Sequence, residues 1–129
     1  MRRHLFAIAA LSVSALTGCA TLGNPVSNSR PIAAGSMERA LKATVIAATS
    51  TDWVPKTISA EAGYVMAERG DPRVDPYRLE VMIPEGGAGS LNVKVTPLAG
   101  RRENVGSEDG ASDLAKKFLE AFERAIAPR

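Results

Sequence analysis

The side chains best suited to chemistry are scarce in this chain and badly placed for it. The single histidine is His4 and the single cysteine is Cys19, so beyond Cys19 there is neither imidazole nor thiol. Nucleophilic Ser-His-Asp and Cys-His sites, His/Cys zinc sites and histidine-held haem all need one of those groups. Carboxylates, amines and hydroxyls remain. Asp71 and Asp75 bracket Pro72-Arg73-Val74 and could hold a hard cation or do acid–base work. A solvated turn with Arg73 as counter-charge is the plainer account. Glu108, Asp109 and Asp113 cluster ahead of a helical segment, where the helix dipole already favours acids without any calcium. Lys56, Lys94, Lys116 and Lys117 keep a Ser-Lys dyad formally open, but no spacing sets a serine beside them. Gly86-Gly87-Ala88-Gly89 has the glycines of a phosphate loop, yet it lacks the Gly-Lys-Ser/Thr ending and no helix pattern follows. A mobile hairpin tip is expected there. Arg101-Arg102 offers two cations to acidic lipid or lipopolysaccharide phosphates, or simply solvates a loop. Trp53 and Tyr64 could line a ligand groove or partner surface, or close one end of a small core.

The N-terminus has a more definite pattern. Arg2 and Arg3 give a positive start, and an apolar run from Leu5 to Leu16 follows, broken only by Ser12 and Ser14. Small residues and the cysteine come next. A charged head, a short apolar stretch and a small-residue cleavage point define a secretory signal. The run is too short for a spanning helix, which needs about 20 apolar residues. Leu16-Thr17-Gly18-Cys19 resembles the lipobox of bacterial lipoproteins. That resemblance implies a diacylglyceryl group on the Cys19 sulfur and cleavage between Gly18 and Cys19. It also implies N-acylation of the new terminus in many bacteria. Two or three acyl chains, at about 0.8 kcal/mol per buried methylene, hold durably where one chain does not. Ala20, rather than aspartate, after the cysteine resembles an outer-membrane address, on the periplasmic side, if the host is Gram-negative.

Processing would rebalance the charge. Of 16 basic residues Arg2 and Arg3 leave with the signal, so 14 face 14 acidic residues, although the full chain carries net +2. No basic excess is left to argue for nucleic acid. The residues from Cys19 onward suffice for one small domain. With its cysteine lipidated, that domain has no disulfide and depends on an apolar core.

The expected organisation is a signal over 1–18, a lipidated cysteine and flexible tether over 19–35, and a domain over 36–129. Gly23, Asn24, Pro25, Ser27, Asn28, Ser29 and Pro31 break any periodicity in the tether. Ser36 can cap a helix that has Glu38 in its first turn. Met37, Leu41, Val45 and Ala48 form its apolar face, with Ala40 and Thr44 beside them. Strands are expected over 53–59, with Pro55 restricting the first to an edge or a bulge, then over 64–69, 77–83 and 91–96. In the third, Tyr77, Leu79, Val81 and Ile83 alternate with Arg78, Glu80 and Met82. In the fourth, Leu91, Val93 and Val95 alternate with Asn92, Lys94 and Thr96. A last helix spans about 111–127, with Leu114, Ala115, Phe118, Leu119, Phe122 and Ile126 as its stripe.

The fold expected is α+β: a two-layer sandwich of a four-stranded antiparallel sheet with two helices on one face, in the order α-β-β-β-β-α. The helix over 40–48, then Trp53, then Gly63-Tyr64-Val65-Met66-Ala67 resembles the helix-grip domains of small outer-membrane lipoproteins, in architecture only. The expected function is a non-catalytic interaction or envelope-assembly module, lipid-anchored to the membrane, with an envelope protein as partner and no cofactor besides the covalent lipid. Its sheet edge, wet face or Gly-rich hairpin would meet that partner, with Trp53, Tyr64, Arg101 and Arg102 as candidate surface residues. The alternative is a module binding lipid or a small hydrophobe in a groove lined by Leu79, Val81, Val93 and Phe118. A carboxylate hydrolase ranks last. Neither the partner nor an oligomeric state is selected.

Overall fold

The computed structural model describes residues 24–71, 73–99 and 105–127. It is an α+β sandwich with an antiparallel sheet and two helices. The sheet has five strands rather than four: β1 (Val26–Ala33), β2 (Trp53–Ser59), β3 (Tyr64–Arg69), β4 (Tyr77–Met82) and β5 (Ala88–Pro97). The helices are α1 (Met37–Ser50) and α2 (Glu108–Ile126), so the chain order is β-α-β-β-β-β-α. In space the strands lie β1-β5-β4-β3-β2.

The extra strand corrects the expected tether. Residues 26–33 pair with β5 along their whole length, from Val26 opposite Val95 to Ala33 opposite Ala88. Local propensity does not make this strand, since Asn28, the two serines and Pro31 all disfavour one. Pairing with β5 makes it, helped by Val26 and Ile32 against the core and by an ion pair from Arg30 to Glu123 on α2.

The remaining elements form where their patterns fall. The Ser36 hydroxyl caps α1, accepting from the Arg39 N–H at 3.1 Å. The Ser107 hydroxyl caps α2, accepting from the Gly110 N–H at 3.0 Å. This starts α2 three residues ahead of the expected boundary and puts Glu108 and Asp109 in its first turn. The Tyr77 hydroxyl accepts from the Ser107 N–H at 3.1 Å, fixing that cap to β4. β2 is an outer strand, and its register shifts between Pro55 and Thr57, so Pro55 marks both an edge and a bulge.

One face of the sheet is covered by helices, with α1 against β2 and β3 and α2 against β5 and β1. Val65, Ala67, Leu79, Val81, Leu91, Val93 and Val95 line it with no exposed surface. α2 contributes Phe118 and Phe122, stacked with ring centroids 6.4 Å apart. α1 contributes small side chains: its buried residues are Ala40, Ala43, Thr44, Ala47 and Ala48. Ala40, Thr44 and Ala48 belong to the expected apolar face, but Met37 and Leu41 are only partly buried and Ala43 and Ala47 complete the buried stripe, because a close approach to α2 selects alanine over bulk. Thr44 satisfies its buried hydroxyl by donating to the Ala40 carbonyl at 2.8 Å.

The Gly-rich connection is docked onto α1. It forms a short turn, Glu85–Gly87, and the Ala34 N–H donates to the Gly87 carbonyl at 2.8 Å. Gly87 has φ +75°, and a Cβ there would lie 2.3 Å from the Ser36 carbonyl oxygen. Only glycine gives both the positive φ and that approach. No helix among the described residues is long and apolar enough to cross a membrane.

Candidate functional site

The uncovered face of the sheet is the surface left for function. Antiparallel register sets its side chains in rows. One row runs Ser27, Lys94, Glu80, Met66, Thr57, and the next runs Ser29, Asn92, Met82, Tyr64, Ser59. A third holds Thr96, Arg78, Glu68 and Val54. Opposite charges meet between adjacent strands: Lys94 Nζ lies 3.6 Å from Glu80 Oε1, and Arg78 Nη2 lies 3.7 Å from Glu68 Oε2. The face is thus polar and internally neutralised, with Met82 46% exposed in its middle.

Glu80 is its electrostatic centre. It takes Lys94 on one oxygen and accepts the Tyr64 hydroxyl on the other at 2.8 Å. Partial burial, and then the hydrogen bond to Glu80, push the Tyr64 phenol up to about 12 from an ordinary 10.0. It stays protonated at any physiological pH and serves as a donor. A shallow hollow of about 340 Å³ lies over this group, lined by Ser27, Tyr64, Glu80, Met82, Asn92 and Lys94.

The residues singled out from sequence do not converge. Tyr64 lies on the open face, half-buried in the row beside Met82. Trp53 is 1% exposed in the core, on the helix-covered side. It closes one end of the sandwich, with the Arg69 guanidinium 4.9 Å above its ring. Arg69 also donates to Asp75 Oδ2 and to the Thr51 carbonyl, each at 2.8 Å. One cation thus ties together the core tryptophan, the end of α1 and the 70–76 loop. The Trp53 indole N–H is buried without a partner. Gly18, Cys19, Arg101 and Arg102 lie outside the described residues.

The acidic pairs brace turns. Asp75 holds Arg69, and Asp71 accepts from both the backbone N–H and the Nε of Arg73. Asp113 pairs with Lys117 at 3.5 Å on the outside of α2. Among the described residues no three His, Cys, Asp or Glu side chains gather to hold a metal ion. The four residues expected to line a hydrophobic groove, Leu79, Val81, Val93 and Phe118, are all 0% exposed within one core. Side chains without solvent-accessible surface leave no water-sized space beside them.

Sequence reasoning missed Glu80, Met82, Asn92 and Lys94 as a group. Alternation put Glu80 and Met82 on the non-core side of β4, and Asn92 and Lys94 on that of β5. Only the register between the two strands brings them together. The expected strand-addition edges are both interrupted: Pro31 lies in β1, Pro55 in β2, and these are the outer strands. Proline on an edge strand removes a donor and blunts pairing with another chain. No protein-family model matches this chain, and no curated protein matches it in sequence.

Proposed function

We propose that this chain is an exported lipoprotein, anchored through Cys19 to the periplasmic side of an outer membrane, whose domain is a non-catalytic interaction module of the cell envelope. The observation that carries this reading is the order of the N-terminal residues. Arg2-Arg3, the apolar run and Leu16-Thr17-Gly18-Cys19 lie directly ahead of a domain whose first strand begins at Val26. Composition supports the non-catalytic part, since removal of His4 and acylation of Cys19 leave no imidazole or free thiol. The open sheet face is the partner surface in this reading. Both outer strands carry proline, and the Gly-rich turn is occupied by α1. On that face Met82 supplies exposed apolar surface, and Tyr64, Asn92 and Lys94 supply hydrogen-bonding groups around it.

Mass spectrometry of the mature protein tests the anchor. A thioether-linked diacylglycerol on Cys19 with residues 1–18 removed is the expected result, and Cys19→Ser should release the domain from the membrane fraction. An unmodified Cys19 in protein from its own envelope would overturn the assignment. For the partner surface, Met82→Asp should abolish a crosslink formed from a photoreactive group at Asn92 while leaving the fold intact.

A further inference from the structure

The sandwich has two ends, and the chain enters at one of them. Val26 lies beside Val95, Leu79 and Ala67 in the register, close to the ends of the strands where the 70–76 loop and the segment after Pro97 emerge. Gly63 and the Glu85–Gly87 turn occupy the opposite end, with Ala33. Residues 20–25 are all that separates Cys19 from Val26. Fully stretched, such a segment reaches at most about 25 Å. The ten residues of β5 alone span roughly 33 Å. The far end could meet the bilayer only by inverting the domain on a taut tether.

The near end also carries exposed apolar side chains on neighbouring loops. Val74 is 60% exposed and Val105 is 49% exposed. The loops are joined: the Leu98 N–H donates to the Pro76 carbonyl at 2.7 Å, and the Gly106 N–H donates to the Leu98 carbonyl at 3.1 Å. A Cβ on Gly106 would stand 2.7 Å from the Pro76 oxygen, so Gly106 sits directly against the loop that bears Val74. Arg73 brings no net charge, being paired with Asp71. Singly exposed valines are ordinary on a soluble surface. Two of them on linked loops, at the end where a short tether emerges, have a definite neighbour.

We propose that this end of the domain, through Val74 and Val105, rests on the phospholipid surface, with the strands upright and the open face turned sideways to the bilayer. The orientation rests on the lipid anchor at Cys19. It places Tyr64, Glu80, Met82 and Lys94 where a membrane-embedded neighbour can reach them laterally.

Acylation of the only cysteine leaves no native thiol, so a single introduced cysteine can be labelled without background. Full-length lipidated protein carrying Val74→Cys, Val105→Cys or Glu85→Cys would be labelled with an environment-sensitive fluorophore. Each would be reconstituted into phosphatidylethanolamine–phosphatidylglycerol vesicles containing a spin-labelled lipid quencher. Severalfold stronger quenching at positions 74 and 105 than at 85 is the expected result. Floated, acylated protein with quenching at 85 equal to or above that at 74 and 105 would overturn the orientation alone. A free Cys19 thiol and no flotation would remove the anchor, and the orientation with it. Circular dichroism of each variant guards against misfolding, and Val74→Ser with Val105→Ser provides a second test. If these replacements leave the protection of the 70–76 loop from protease by vesicles unchanged, the two side chains make no contact.

Discussion

The two faces of the sheet are built from the same strands under opposite demands. On the covered face Val65, Ala67, Leu79, Val81, Leu91, Val93 and Val95 are apolar and inaccessible. On the open face the same strands carry Glu68, Arg78, Glu80 and Lys94, cancelling one another in pairs. Burial rewards area without regard to direction, so the covered face is defined by bulk and volume. The open face gains little from each pair and is defined by which residues stand opposite each other. One face therefore holds the fold together, and the other is free to be shaped by whatever it meets.

The contrast is sharpest within β4, where neighbours point to opposite sides. Leu79→Ala should cost about 3 kcal/mol, by lost burial and the cavity left in the core. Met82→Ala, on the open side and 46% exposed, should cost under about 1 kcal/mol. Urea denaturation of both variants measures the difference. Equal costs would mean that the open face is itself buried in the free protein, for instance between two copies of the chain.

Arg69 brings a charge to the covered side beside Trp53, and removing it probes whether that side tolerates polar structure. Arg69→Met keeps the apolar stem but loses the contact with Trp53 and the bonds to Asp75 and Thr51. A loss of about 2 kcal/mol is expected, because charge-assisted hydrogen bonds at a partly buried site are stronger than surface pairs. Trp53 emission should shift to the red as water reaches the ring.

Legibility in the sequence divides along the same line. The strands β2 to β5 and both helices announce themselves, because alternation and helical spacing are local patterns driven by the covered face. β1 does not. Its residues are polar, it contains Pro31, and it becomes a strand only by pairing with β5, more than fifty residues away in the chain. A stretch of glycine, asparagine, serine and proline carries the composition of a tether whether or not an edge recruits it. The α1 stripe is legible only in part for a related reason: the pattern contains the buried Ala40, Thr44 and Ala48, but counting bulky apolar residues adds Leu41 and Val45 where helix–helix contact selects Ala43 and Ala47. Of the candidate site, Tyr64 was found as an isolated residue. Its relation to Glu80, Met82, Asn92 and Lys94 depends on register, which alternation within one strand does not contain.

On the open face the Tyr64 hydroxyl donates to the Glu80 carboxylate at 2.8 Å. The folded protein holds the phenolic proton more tightly than the unfolded chain, with the Tyr64 pKa raised from 10.0 to about 12. The resulting stability is fully present below pH 10 and is lost as pH rises through 12. Tyr64→Phe should cost about 1 kcal/mol at neutral pH. In an ultraviolet titration of tyrosinate it should also remove the component that ionises near pH 12. Glu80→Gln should lower the Tyr64 transition only part of the way towards 10, because burial is the larger cause. A full return to 10 would show that Glu80 alone sets it.

The smallest effect is expected from the pair that looks most like a fixed feature. Lys94 and Glu80 are 3.6 Å apart, with the lysine side chain 46% exposed. An exposed pair of this kind contributes at most about 0.5 kcal/mol, because water and salt screen it and both side chains lose rotamer freedom. A double-mutant cycle of Lys94→Ala and Glu80→Gln should give a coupling of that size, vanishing in high salt. Its smallness has a consequence for the proposed partner surface. A lysine that the fold hardly needs can be turned outward at almost no cost, so a partner carboxylate arriving over the hollow can take Lys94 from Glu80. Tyr64 would then remain as the sole donor to Glu80 and keep it from standing unpaired. A coupling well above 1 kcal/mol that persists in high salt would mean that the fold holds Lys94 in place, and the exchange would be closed.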